Sequence, residues 1–409
     1  MSCLRLCRIR NISSSLTRKL SHAHKMSTTT TASSKTSTVH ITQPAYTLPS
    51  PPEAKDLKHH LKRNQVFENP WPSFVDPGGF TVGVKMTRRK IQGKDVSNSS
   101  SSTLAVRKPH FHPSRKQDDA LRATWLGHAC YLLEFPSGFR VLFDPVFEER
   151  CSPISFLGPK RSTPAPCQVA DLPIVDAVVI SHNHYDHMSY PTLTAIAAKY
   201  PNVRFFCGLG TARWFKENGM PIVVEMDWWE SSTITLEGEE GAVEATISCL
   251  PSQHGSARTG IDRSRMLWSS WAIQSGGKSA YFAGDTGYRS VPELPDNEDD
   301  YSPKYSSLPV CPAFKQIGEL RGPFDLGLLP IGAYQPRFIM SPLHSNPYDA
   351  VNLLVDTQCK KALAMHWGTW VLTEEDVMEP VRKLGEAVRW RGIEEGVFEV
   401  CEVGESREF

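Results

Sequence analysis

A layered α/β fold with one large core is the architecture this sequence predicts, and three observations carry the prediction. Apolar segments of strand length recur from Arg122 onward, with only a few helix-like segments between them. The chain has 409 residues, 40% hydrophobic and 22% charged, which suffices for one large domain or two smaller ones. Histidines and aspartates sit directly after several of the apolar runs, where an α/β fold gathers its functional residues.

The elements follow in order. "RATWLG", "CYLLEF" and "FRVLFD" read as three consecutive short strands, with Pro136, Ser137 and Gly138 as the turn between the last two. "IVDAVVISH" is a continuous apolar strand that runs into a histidine cluster. "YPTLTAIAAKY" reads as a helix with Pro191 in its first turn. "VRFFCG", "PIVVEMDWW", "EATISCLPSQH", "LWSSWAIQ", "SAYFAGD", "FDLGLLPIG" and "KALAMHWG" add further strands. "NPYDAVNLLVDTQ" and "EEDVMEPVRKLGEAVRW" read as helices. The acidic, Pro/Ser-rich stretch 293–309 reads as a solvated surface insertion.

The N-terminal part differs in composition. Residues 1–60 are expected to be a presequence and a disordered linker, 61–121 an arm with a flexible Ser-rich loop at 95–106, and 122–409 the catalytic domain. Arg5, Arg8, Arg10, Arg18, Lys19 and Lys25 precede the first acid, Glu53. Arginines interrupt what would be the apolar core of a secretory signal, so the profile is that of a mitochondrial presequence. This implies a mitochondrial location, associated with the inner membrane. No run approaches the roughly 18–20 apolar residues of a spanning helix, so membrane contact is expected to be peripheral. Ten cysteines form no C-x-x-C pair, which fits a reducing compartment. A net charge of +1 offers no field to recruit nucleic acid.

The chemistry is concentrated in "ISHNHYDHMS", residues 180–189. His182 and His184 alternate, so in an extended segment both face one way. Asp186 and His187 follow as the chain turns toward a helix. Imidazole and carboxylate are natural donors for zinc-like ions. One tetrahedral site cannot easily use four donors arranged in this way, whereas two adjacent sites can. Three more strand ends supply donors: His254 in "LPSQHGS", Asp285 in "YFAGDTGY" and His366 in "LAMHWGT". His128 in "LGHAC" reads as structural, and the H-x-H pair His110 and His112 is discounted because no Asp-His follows it.

The pattern H-x-H-x-D-H with distant His, Asp and His resembles the metallo-β-lactamase superfamily. The resemblance implies a four-layer αβ/βα sandwich with the site along one edge of the sheets. It implies that His182, His184 and His254 hold one metal, that Asp186, His187 and His366 hold a second, and that Asp285 bridges them. "TWLGHA", "GPKR", "DWWE", "PSQH", "FAGDTGY", "PIGAY", "HWGT" and "GESR" are similar in order and spacing to the family of N-acyl-phosphatidylethanolamine-hydrolysing phospholipases D, from about Asn69 to the C-terminus. The presequence-like start implies a mitochondrial homologue of the fungal kind. Gly255 departs from the family's bulky aromatic at that place.

That resemblance implies two divalent ions, zinc being the expectation, and a phospholipid substrate at a membrane surface, with a homodimer as a further expectation. Water would attack phosphorus in line, an N-acylethanolamine would leave and phosphatidic acid would remain. Asp186, Asp285 and His344 are the expected catalytic residues. His344 would orient the phosphate or protonate the leaving oxygen. Asp144 in "LFDP" is expected to hydrogen-bond a ligand histidine. Ile154, Phe156 and Leu157, followed by Lys160 and Arg161, read as an apolar loop with basic neighbours that meets anionic lipid. The competing readings are a lactonase, a thioesterase or a nuclease on the same fold, and a non-catalytic binding module. The module would be expected to have lost ligands, whereas every ligand position here is filled.

Overall fold

Two mixed sheets pack face to face in the computed structural model, which describes residues 38–61, 65–93, 104–115, 119–238, 241–259, 261–295 and 298–409. The first sheet has eight strands in the spatial order Thr38–Ile41, Ser231–Gly238, Gly241–Leu250, Ser270–Ser275, Lys278–Phe282, Leu326–Pro330, Ala362–Met365, Phe398–Glu399. The second has seven, in the order Ser406–Glu408, Arg122–Gly127, Cys130–Glu134, Arg140–Phe143, Ala177–Val179, Arg204–Gly208, Val223–Met226. In each sheet one half is antiparallel and the other parallel.

The continuous apolar runs are explained by burial on both faces. In Cys130–Glu134, Tyr131 and Leu133 point into the core between the sheets, while Cys130 and Leu132 point outward under the helix Tyr190–Lys199. Ala177 and Val179 likewise face inward and Val178 outward. Leu193 and Ile196 complete the outer layer on that side. On the other side Phe314 and Ile317 of the helix Ala313–Arg321 and Val351 and Leu354 of the helix Pro347–Asp356 cover the first sheet. The result is the expected four-layer αβ/βα sandwich.

Several sequence expectations need correction. The compact unit already includes residues before 61: Thr38–Ile41 is an edge strand paired with Ile234 to Glu237, and Thr38–Phe409 is one compact unit. The arm is therefore part of the domain, and Arg122 opens a strand without marking a boundary. Arg115 of the arm grips Asp176 with two hydrogen bonds of 2.6 and 2.7 Å. The expected presequence and most of the Ser-rich loop lie outside the described residues. The stretch 293–309 is not merely solvated, because Asp300 is buried between Arg289 and Arg337. The strand Ser231–Gly238 escapes a hydrophobicity reading because hydroxyls fill it. Ser231 pairs instead with Ser248 across the ladder, Oγ to Oγ 2.8 Å. The helices Gly79–Ile91, Ala212–Glu217 and Ala313–Arg321 were also not apparent from apolar runs.

Topology creates the site. Lys278–Phe282, Leu326–Pro330 and Ala362–Met365 run parallel, and Gly241–Leu250, two antiparallel steps away, runs the same way. Their C-terminal ends all reach one edge, where α/β sheets place their ligands.

Candidate metal centre

The histidine cluster forms a tight turn after Ala177–Val179, closed by backbone hydrogen bonds from His187 and Met188 to the His184 carbonyl. Leu250, Phe282 and Met365 end the strands that present His254, Asp285 and His366. All of these side chains are buried except His184 and Asp186, which are partly open.

Two groups of donors emerge. His184 Nδ1 lies 2.8 Å from His182 Nε2 and 3.4 Å from His254 Nε2. Asp186 Oδ2 lies 3.4 Å from His187 Nε2 and 3.6 Å from His366 Nε2. Asp285 Oδ2 sits between the groups, 3.7 Å from His182 and His254 and 3.1 Å from His187 and His366. Donors about 2.0–2.1 Å from a tetrahedral ion are roughly 3.4 Å apart. The arrangement has that spacing.

Hydrogen bonds outside the groups fix which ring nitrogen faces in. His187 Nδ1 donates to Asp144 Oδ2 at 2.7 Å, and His254 Nδ1 to the Leu343 carbonyl at 2.8 Å. His182 Nδ1 is 2.9 Å from Ser181 Oγ, which itself donates to Asp144 at 2.5 Å. Each of these bonds leaves an Nε2 lone pair for the centre. His187 Nε2, His366 Nε2 and Asp285 Oδ1 are buried and have no hydrogen-bond partner among the described residues. Buried polar atoms rarely remain unsatisfied without a reason. A divalent metal fits this donor set and satisfies those atoms.

The electrostatics agree. Burial holds the His182 and His254 imidazoles well below the usual histidine range, which keeps them neutral donors. Burial is the largest single influence and acts to lower His187 and His366, but Asp285 and Asp186 together, with Asp144 for His187, outweigh it and lift both, His366 to about 9. Burial would raise Asp186 and Asp285, yet the imidazoles, His187 foremost, hold both well below the carboxylate range. A metal entering this site displaces protons from His187 and His366. Metal affinity is therefore expected to fall as pH falls, which isothermal titration in buffers of different ionisation enthalpy would measure.

Sequence reasoning missed three contributors. His128 does more than pack: its Nε2 lies 3.0 Å from Asp186 Oδ2, and its carbonyl receives the His366 amide at 3.0 Å. Burial pushes its own imidazole down to about 3. Arg258 donates to the carbonyls of Asn183 and Met188 at 2.8 and 2.7 Å and stacks on Tyr185, bracing the histidine turn from outside. Asn69, in the arm, clasps the backbone of His254: its Nδ2 donates to the carbonyl at 2.7 Å and its Oδ1 accepts the amide at 3.2 Å. Asn69 lies in the aromatic-rich stretch "VFENPWPSF", residues 66–74, where nothing local points to His254.

His344 joins the site. Its Nδ1 is buried and unpartnered, 4.0 Å from Asp285 Oδ2, and its ring stands edge-on to His254. Burial lowers its imidazole to about 4. The loop after Cys151 divides. Ile154 is 41% exposed, Phe156 81% and Leu157 60%. Lys160 pairs with Glu149 on the surface at 2.8 Å. Arg161 turns inward, against expectation. It donates to the Glu148 carbonyl at 2.7 Å and to the Val146 carbonyl, and lies over the Trp370 ring. It anchors the loop and presents no charge to a membrane.

Asp144→Asn is expected to weaken metal binding about 10–100-fold, because His187 loses the carboxylate that orients it. Competition with a chromophoric chelator reads this directly.

Comparison with known proteins matches this architecture. The model of the β-lactamase superfamily domain matches residues 139–367, which contain the whole donor set. An N-acyl-phosphatidylethanolamine-hydrolyzing phospholipase D 1 of Caenorhabditis elegans is 35% identical over 84% of this chain and 93% of its own. An uncharacterized protein of Mycobacterium bovis is 36% identical over 76% of each chain. A mitochondrial N-acyl-phosphatidylethanolamine-hydrolyzing phospholipase D of Saccharomyces cerevisiae is 32% identical over 67% of this chain and 53% of its own. The fold and site thus define a metal-dependent hydrolase of the β-lactamase class. Within that superfamily the chain belongs to the family of N-acyl-phosphatidylethanolamine-hydrolysing phospholipases D.

Proposed function

We propose that this chain hydrolyses the phosphodiester of N-acyl-phosphatidylethanolamine, releasing an N-acylethanolamine and leaving phosphatidic acid. The observation that carries the reading is the shared carboxylate: Asp285 Oδ2 stands between two donor groups, as a centre for two ions requires. His182, His184 and His254 would hold one ion, Asp186, His187 and His366 the other, with Asp285 common to both. Two divalent ions held there, zinc being the family expectation, would supply charge neutralisation at the phosphodiester and would acidify water near neutral pH. The chain's own residues do the rest. His128 holds Asp186, Asp144 holds His187, and His344 offers a neutral imidazole to the phosphate or the leaving oxygen.

An open cavity of about 780 Å³ lies beside the histidine turn, lined by Tyr185, Tyr190, Trp214, Arg258 and Met266 and continuing to Pro153 and Ser155 of the apolar loop. We read it as the side from which a lipid approaches, since Tyr185 belongs to the histidine turn and Arg258 braces it. Gly255 leaves open space next to His254, since a Cβ there meets only Leu343, at 3.9 Å. No described helix is long and apolar enough to cross a membrane. The loop is therefore the proposed contact, with Ile154, Phe156 and Leu157 immersed and Lys160 at the headgroups. The basic start of the chain and the mitochondrial relative in yeast support a mitochondrial location, at the inner membrane.

The deciding experiment incubates metal-loaded protein with N-acyl-phosphatidylethanolamine vesicles. N-acylethanolamine and phosphatidic acid should appear together. Release of fatty acid alone would assign a different bond and favour a thioesterase or lactonase. Replacing Phe156 and Leu157 together by Ser should weaken vesicle binding roughly 10²-fold, at about 1.5 kcal/mol per withdrawn side chain. Unchanged flotation with liposomes would remove the loop from the membrane contact.

A further inference from the structure

A second cluster of donors lies away from the catalytic edge. His59 Nε2 and His60 Nε2 each lie 2.7 Å from a different oxygen of Asp227. The three come from segments far apart in sequence: two adjacent residues of the arm, and the residue that follows the strand Val223–Met226. All three side chains are nearly inaccessible, 6%, 7% and 10% exposed. Their donor atoms all lie within 4.8 Å of one another. The Trp228 ring stacks on His59 with centroids 4.2 Å apart, closing one side.

Charge makes the cluster unusual. Among the described residues no lysine or arginine forms an ion pair with Asp227; its oxygens face the two imidazoles, and Oδ1 also accepts the Trp228 amide at 2.8 Å. A second carboxylate, Glu230, is adjacent, and its Oε2 accepts the Asp227 amide at 2.8 Å. A buried carboxylate with no lysine or arginine partner is costly unless another cation accompanies it. Two imidazoles and a carboxylate are also a donor set that binds zinc and similar divalent ions.

We propose that His59, His60 and Asp227 bind an additional divalent transition-metal ion, separate from the catalytic centre and structural in role. The ion compensates Asp227 and pins the arm to the corner of the second sheet. The consequence reaches the catalytic edge, because the same arm carries Asn69 to the His254 backbone and Ser73 to Gln253, 2.6 Å from Oγ to Oε1. The proposed ion is thus a clasp that keeps a catalytic ligand in place without touching substrate.

The test counts zinc per full-length chain by mass spectrometry of the elements, in the wild type and in a His59→Gln/His60→Gln double variant. The variant should hold one equivalent less. This difference is independent of whether the catalytic centre takes one ion or two, so failure of that reading and failure of this one are distinguishable. Equal metal content in two folded proteins would overturn the proposal and leave a hydrogen-bonded clasp. If the variant does not fold, ¹¹³Cd NMR of the wild type decides. One resonance should stay unmoved when vanadate is added to occupy a phosphodiesterase centre. If every resonance moves, the additional site does not exist.

Discussion

Asp285→Asn should abolish metal-dependent hydrolysis while leaving the chain folded. The carboxylate stands 3.1–3.7 Å from four imidazole nitrogens, so it is the one side chain on which both donor groups depend. An amide in its place keeps the shape but removes the negative charge that would balance the two proposed ions, and offers one oxygen where two stood. The loss should exceed the roughly 10–100-fold cost of removing an outer hydrogen-bond partner of a ligand. Both metal content and turnover should fall. The fold should survive, because Asp285 lies at a strand end, outside the ladder that ends at Phe282. Full activity with both ions retained would show that the centre is not built around this carboxylate.

His344→Gln should give the opposite signature. The ring reaches Asp285 only at 4.0 Å, outside hydrogen-bond distance, and stands edge-on to His254 with centroids 5.0 Å apart. It lies near the candidate donors, and neither group of three histidine and aspartate donors proposed for an ion needs it. Turnover is therefore expected to fall about 10²–10⁴-fold, the usual worth of a positioned proton donor or acceptor, with metal content unchanged. Glutamine keeps a donor and an acceptor at similar reach, so a substantial residual activity would mean that hydrogen bonding matters more than proton transfer. Parallel loss of metal and activity would instead make His344 a ligand.

The donors were legible because their spacing is local. His182, His184, Asp186 and His187 fall within six positions, and strand periodicity states how such residues can share a volume. His254, Asp285 and His366 were legible for a related reason, since each follows an apolar run, and runs buried on both faces are easy to see. The supporting contacts were not legible in this way. Asn69 and His254 are separated by 185 positions, and His128 and Asp186 by 58. Nothing in the local sequence of either partner names the other. Arg161 illustrates the same limit. A cation after a Pro/Gly-bounded apolar loop reads as lipid-facing, yet two backbone carbonyls and the Trp370 ring draw it inward.

By itself, the sequence determined the class of chemistry and the kind of scaffold. Local spacing sets which donors lie together, and continuous apolar runs, buried on both faces, mark which segments are strands. Only the tertiary structure decided which side chains hold those donors in place, and that the N-terminal arm belongs to the domain. Asn69, His128 and the His59–Asp227–His60 cluster act across contacts that exist only after two sheets and an edge strand have closed. Such contacts are set by packing, which depends on the whole chain and leaves no periodic trace in any part of it.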